Sequence, residues 1–170
     1  MRSWHNRRTL DPDGPWSRLT IALAYATEAH LFITDPNQSP FNVGVRLQLA
    51  DFTRTEVENL AQCYGVSEST SVYNLLAGHP FLTRRGLEVL AAGGILERSD
   101  AFDNHLERLL FSITHEPTLV DALRLVLRGK SASLEAFFRL RAAGILVGES
   151  AAEARLRCTL YDTFLRKHLE

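Results

Sequence analysis

Three short clusters in this 170-residue sequence have residue types and spacing that could do chemistry. Thr27-Glu28 closes an apolar run, Leu19 to Tyr25, through Ala26. A hydroxyl and a carboxylate at a strand end could meet a terminal phosphate or a catalytic water. The same pair would equally serve as a strand-terminal hydrogen-bonding pair. Gly78-His79-Pro80 interrupts two helical patterns. Such a turn can press a proline ring against an adenine base, although Gly after one helix and Pro at the start of the next need no ligand. Leu160-Tyr161-Asp162 opens the last helical pattern, where Asp162 would favour the positive end of the helix dipole. A fourth stretch, Asp35-Pro36-Asn37-Gln38-Ser39-Pro40-Phe41-Asn42-Val43-Gly44, follows the first cluster. Its two prolines remove backbone donors, so it reads as a rigid loop of the kind that carries ligand contacts beyond strand ends.

Several chemistries find no support. The 170 residues contain no Gly-x-x-x-x-Gly-Lys-Ser/Thr, hence no phosphate-cradling loop, and no apolar strand ending in Asp-Glu or Asp-Asp to hold magnesium. The six histidines are scattered without zinc spacing, and Gly-x-Ser-x-Gly is absent. No catalytic residues and no metal site are therefore expected.

The elements that must position these clusters follow from periodicity and punctuation. Met1–Arg8 carries Trp4 but little pattern, and Asp11-Pro12-Asp13-Gly14-Pro15 forces a turn. Leu19–Tyr25, apolar with little alternation, reads as a buried strand needing neighbours on both sides. It would lie at the edge of a sheet built mostly upstream, or pair locally with Val45–Leu49. From Thr53 the pattern becomes helical. Thr53-Arg54-Thr55-Glu56 has capping-box spacing and opens a helix with Val57, Leu60 and Ala61 on one face, ended by Gly65. Ser67 opens a second helix that ends at Gly78, and a third runs from about Phe81 to Ala92. After a linker around Ser99-Asp100, helical spacing returns over Phe102–His115 and Pro117–Leu127. Ser133 caps a helix that ends at Gly144. Ile145–Val147 and Ala154–Cys158 then read as a short hairpin around Gly148-Glu149-Ser150. Leu160–Leu169 closes the chain as a helix with Leu160, Phe164 and His168 on one side. Three helices followed by a two-stranded wing is winged-helix topology. The fold class expected is mainly α with a small β component: a strand at the edge of an α/β core over 1–50, short helices over 51–98, and a winged helix over 99–170.

Composition bounds the partners. With 45% apolar and 23% charged residues, the sequence is that of a globular protein able to bury a core. A net charge of −1 argues against non-specific attraction to nucleic acid or anionic membrane. No run approaches the ~20 apolar residues of a membrane span. Two distant cysteines, Cys63 and Cys158, point to reduced thiols and a cytoplasmic protein.

Taken in order, the strand ending Ala26-Thr27-Glu28, the Asn37–Gly44 run, Leu49-Ala50-Asp51-Phe52-Thr53 and Gly78-His79-Pro80-Phe81-Leu82 resemble the AAA-like domain of cyanobacterial and other bacterial proteins, within the STAND class of P-loop signalling ATPases. The resemblance spans nearly the whole chain, and it implies that 1–50 is the remnant of a P-loop core, 51–98 a helical lid and 99–170 a winged-helix domain. It implies that Thr27 and Glu28 sit at the sensor-1 position beside nucleotide phosphates, and that Gly78 and Pro80 form the Gly-x-Pro lid motif beside the adenine. It also implies that Leu160-Tyr161-Asp162 corresponds to the Met-His-Asp motif whose histidine contacts ADP, here replaced by Tyr161. ATP or ADP is the cofactor implied. In the intact class ADP bridges core and lid and holds a closed state, and ATP exchange opens it. Without Walker A and Walker B, this chain is expected to be a nucleotide-sensing lid and winged-helix module with no ATPase activity alone. Its partner would be an upstream ATPase core or another protein, and self-association through the strand edge is a further expectation. Two other functions compete. A winged-helix DNA-binding protein would use Arg139, Arg141, Arg155 and Arg157, against a nearly neutral module. A protein-interaction remnant would use the open edge itself.

Overall fold

A computed structural model describes residues 2–22, 45, 47, 49–98 and 100–170. The chain divides into two units, residues 1–49 and 50–170.

In the first unit a helix, α1 (Arg2–Leu10), replaces the unpatterned segment expected there. Residues 6–10 are all exposed, so no apolar stripe announces this helix to a periodicity argument. Arg7 and Arg8 occupy its last turn, where cations favour the helix dipole. The expected turn follows: the Gly14 amide donates to the Asp11 carbonyl, and Pro15–Arg18 form one 3-10 turn. Arg8 then reaches the Ser17 carbonyl, and Arg7 lies 5.8 Å from the Trp16 ring. The buried strand expected from Leu19 is corrected for its described part. Leu19 and Ile21 are 41% and 44% exposed, and residues 19–22 adopt no strand. A strand of that apolarity needs ladder partners on both sides, and the described residues give it none. Val45, Leu47 and Leu49 are exposed and unladdered as well, so the alternative local pairing is absent among the described residues. The remainder of that strand, with Thr27, Glu28 and the Asp35–Gly44 loop, lies outside the described residues.

In the second unit Thr53 does what its spacing predicts. Its hydroxyl accepts from the Glu56 amide, and its own amide donates to the Glu56 carboxylate at 2.7 Å. The Thr53 amide, and after it the Thr53 hydroxyl, donate to the Glu56 carboxylate and hold it below the usual carboxylate range. The helix they open, α2 (Arg54–Cys63), buries Val57 and Ala61 and ends at Gly65. Then come α3 (Ser69–Leu76), α4 (Pro80–Ala91), α5 (Asp103–Thr114) and α6 (Pro117–Leu127). The start of α3 falls two residues beyond Ser67, because Glu68 holds the N-cap position and Ser71 bonds back to its carbonyl. Ser133 caps α7 (Leu134–Ala142) through the Ala136 amide, as its position suggests. A short antiparallel ladder pairs β1 (Leu146–Val147) with β2 (Arg155–Leu156), in the register Leu146 to Leu156 and Val147 to Arg155. The chain ends in α8 (Thr159–Leu169).

One core runs through this unit, from Val57 and Leu76 through Leu82, Leu87, Leu106 and Ile113 to Leu123, Phe137, Leu140 and Leu165. Its face on α8 differs by one residue from the expected stripe. Tyr161, Leu165 and Leu169 are buried, whereas Leu160 and Phe164 are only half-buried and His168 is exposed. The sequence carries two candidate i, i+4, i+8 stripes here, and the tertiary partners choose between them. Arg166 and Arg124 finish the packing by donating to the C-terminal carbonyls of other helices, Leu127 and Leu169. The architecture is mainly α with a small β component. No helix of the described residues is long and apolar enough to cross a membrane.

Candidate functional site

The junction between α3 and α4 is tightly constrained. Ala77 and Gly78 adopt consecutive left-handed conformations, with φ of 49° and 76°. A non-glycine residue such as Ala77 costs roughly 1 kcal/mol there. The Ala77 amide donates to the Tyr73 carbonyl and the His79 amide to the Leu76 carbonyl, which closes α3. Gly78 has a second reason to lack a side chain. A Cβ at this position would lie 1.9 Å from the Phe52 carbonyl oxygen. The Phe52 amide meanwhile donates to the Gly78 carbonyl at 2.8 Å, so the two segments lie backbone against backbone.

Pro80 begins α4 at its first position, where its missing N–H leaves no donor unpaired. His79 is the N-cap. Its Nδ1 accepts from the Leu82 amide at 3.5 Å, which assigns the proton of the neutral ring to Nε2. The ring faces two others edge-on: His105 of α5 at 5.9 Å and Tyr161 of α8 at 6.0 Å between centroids. His105 stacks on Tyr161 with an interplanar angle of 17°, and its Nε2 lies 2.7 Å from the Tyr161 hydroxyl. Phe81, exposed at 53%, lies tilted against His105 at 5.3 Å between ring centroids. A salt bridge lies beside the cluster. Arg157, two residues before α8, meets Asp51 with two hydrogen bonds, Nε to Oδ2 at 3.0 Å and Nη2 to Oδ1 at 2.5 Å. Their side chains are 22% and 26% exposed.

This environment sets the protonation states. Burial first, then the Arg157 charge, pushes His79 down to about 4, with Asp51 opposing in part. Burial and the same arginine lower His105 as well. Both rings are therefore neutral at pH 7. Burial pushes the Tyr161 phenol well above its ordinary range, so it keeps its proton. Burial likewise pushes the Cys158 thiol up to about 11, which leaves it an inert thiol. Asp51 beside Arg157 holds the guanidinium above its ordinary value. The site is thus a set of neutral, aromatic, hydrogen-bonding groups beside one ion pair, Asp51 with Arg157.

Of the residues singled out from sequence, the structure brings Gly78 and Pro80 next to Tyr161, through His79. Thr27 and Glu28 lie outside the described residues. Asp162 sits in the first turn of α8, as its type favours, and pairs with Arg166 at 3.0 Å. His79, His105, Phe81, Asp51 and Arg157 belong to the cluster without having been expected there. His79 stood in the open, inside the Gly78–Pro80 motif. His105 sits beside the apolar positions of α5, where a histidine among leucines was a signal. The Asp51–Arg157 pair spans 106 positions and leaves no trace in local pattern.

The second unit is therefore a helical module ending in a small hairpin and helix, with its polar–aromatic cluster at a strained helix start. The chain belongs to the AAA-like domain family, whose description matches residues 1–167, and is thus an ATPase-related module. Comparison with curated proteins and with solved structures finds no match.

Proposed function

We propose that this chain is the helical lid and winged-helix regulatory module of a STAND-class AAA ATPase, and that it reads adenine nucleotide at Gly78, Pro80 and Tyr161. The observation that carries the reading is the meeting of the Gly78-His79-Pro80 turn with Tyr161, two segments about eighty residues apart in sequence, around one aromatic cluster. The residues present fit a purine base. Pro80 and Phe81 are both exposed apolar groups at the helix start, held there by the turn at Gly78. They fit nucleotide phosphates less directly. Tyr161 is a neutral hydroxyl already engaged by His105, and the nearby cation, Arg157, is held by Asp51. The chain would then contribute to recognition of the base and would change conformation with the nucleotide state of a complete site. Thr27 and Glu28 would stand at the phosphate end, by family resemblance.

The 170 residues carry no phosphate-cradling loop, so we propose no phosphoryl transfer by them alone. Incubation with ATP and magnesium should release phosphate no faster than buffer. Protein-dependent release that disappears in Pro80→Ala or Thr27→Ala would contradict this. The DNA-binding alternative is weakened by what its arginines are doing. Arg139 pairs with Glu116, Arg157 with Asp51, and Arg141 lies over Phe137 and Phe138 at 5.2 and 5.0 Å. Residues 102–170 carry ten Lys/Arg against nine Asp/Glu, too even a balance for a phosphate-seeking face.

A further inference from the structure

We propose that His79 is a proton-sensitive latch: as a neutral ring it caps α4 and holds that helix start against α5 and α8, and on protonation it lets the helix start go. The proposal rests on the hydrogen-bond geometry of the turn and stands whether or not nucleotide binds there. Pro80 supplies no amide, and the Leu82 amide at the third helical position depends on His79 Nδ1. A protonated imidazole has two donors and no acceptor, so this bond cannot survive it. The added charge would also sit at the positive end of the α4 dipole.

The surrounding groups decide the direction. His105 faces His79 from α5, Tyr161 from α8, Arg157 from the segment that enters α8, and Asp51 from the segment before α2. On the α3 side the contact is the uncharged Leu76 carbonyl. Asp51 and the backbone of His79 itself favour a cation there, but the Asp51 carboxylate is already committed to Arg157, and burial outweighs both. His105 differs in a way that makes the latch specific. Its Nε2 bond to the Tyr161 hydroxyl survives protonation, because the ring can donate to the phenol oxygen. Only His79 loses its partner. Since its proton affinity is lowered on folding, the stabilisation is complete above the ordinary histidine pKa of ~6.5 and is lost as pH falls toward about 4.

The test is amide hydrogen exchange on the full chain, corrected for intrinsic rates, at pH 7.5 and pH 5. Protection of the Leu82 amide should fall by about tenfold more than chemistry requires. His79→Asn, which keeps an acceptor at the cap without a titrating ring, should abolish that fall. His105→Gln should leave it in place. Should His79→Asn fail to fold, the ring signals of the unaltered protein decide: protonation of His79 and loss of Leu82 protection must share one midpoint. PH-independent protection at Leu82, an unchanged fall in His79→Asn, or separate midpoints would each overturn the proposal.

Discussion

Replacing Gly78 with alanine tests the close approach on which the site is built. Two costs act together. The left-handed φ of 76° penalises any Cβ by about 1–2 kcal/mol. The Cβ would also stand 1.9 Å from the Phe52 carbonyl oxygen, so the segment must move and weaken the Phe52 amide bond to Gly78. Losing that bond adds about 1 kcal/mol, for a total of about 2–3 kcal/mol. Gly65 supplies the control. Its φ of 67° is similar, yet nothing lies within 4 Å of its missing Cβ. Gly65→Ala should therefore cost only the conformational part, about 1 kcal/mol. Urea unfolding of both variants, followed by helical circular dichroism, gives the two costs at a common m value. For a unit of this size, 2–3 kcal/mol corresponds to a fall in Tm of roughly 8–12 °C, against about 4 °C for the control. Equal costs at the two glycines would refute the backbone contact between residues 52 and 78.

Two further outcomes follow from the core and the salt bridge. Thr83 is fully buried in α4, and its hydroxyl has no partner among the described residues, so Thr83→Val should raise stability by about 1 kcal/mol. A loss of stability on urea unfolding would reveal a polar partner. Asp51→Asn and Arg157→Gln should each cost about 1–3 kcal/mol, because each strands a half-buried partner. The double variant should cost less than the sum, with a coupling of about 1 kcal/mol or more, and strict additivity would mean the pair is not formed in solution.

How much of this was legible in the sequence depends on the range of the interaction concerned. The Thr53–Glu56 capping box, the Ser133 cap and the glycines at 65 and 144 are local devices, and each stands where its residue type places it. The hairpin was readable for the same reason. Helix α1 was not, since a helix without an apolar face has no periodic signal. The buried stripe of α8 was missed by one residue, because Leu160-Phe164-His168 and Tyr161-Leu165-Leu169 are both regular and only the rest of the core selects the second. At the site, the Gly78–Pro80 turn was visible as punctuation and Tyr161 through resemblance. What joins them was not. His105 reaches Tyr161 across 56 positions and Arg157 reaches Asp51 across 106, distances at which residue types alone carry no pairing information.

If the α4 start and Tyr161 together read adenine nucleotide, as we propose, ADP titration followed by backbone amide resonances will show it. Saturable shifts should concentrate at residues 78–82, His105 and Tyr161, and should weaken at least several-fold in Pro80→Ala while the fold is retained. Adenosine should produce most of the same shifts, since the groups present suit the base better than the phosphates. Absence of saturable shifts, or shifts of equal size in Pro80→Ala, would contradict it.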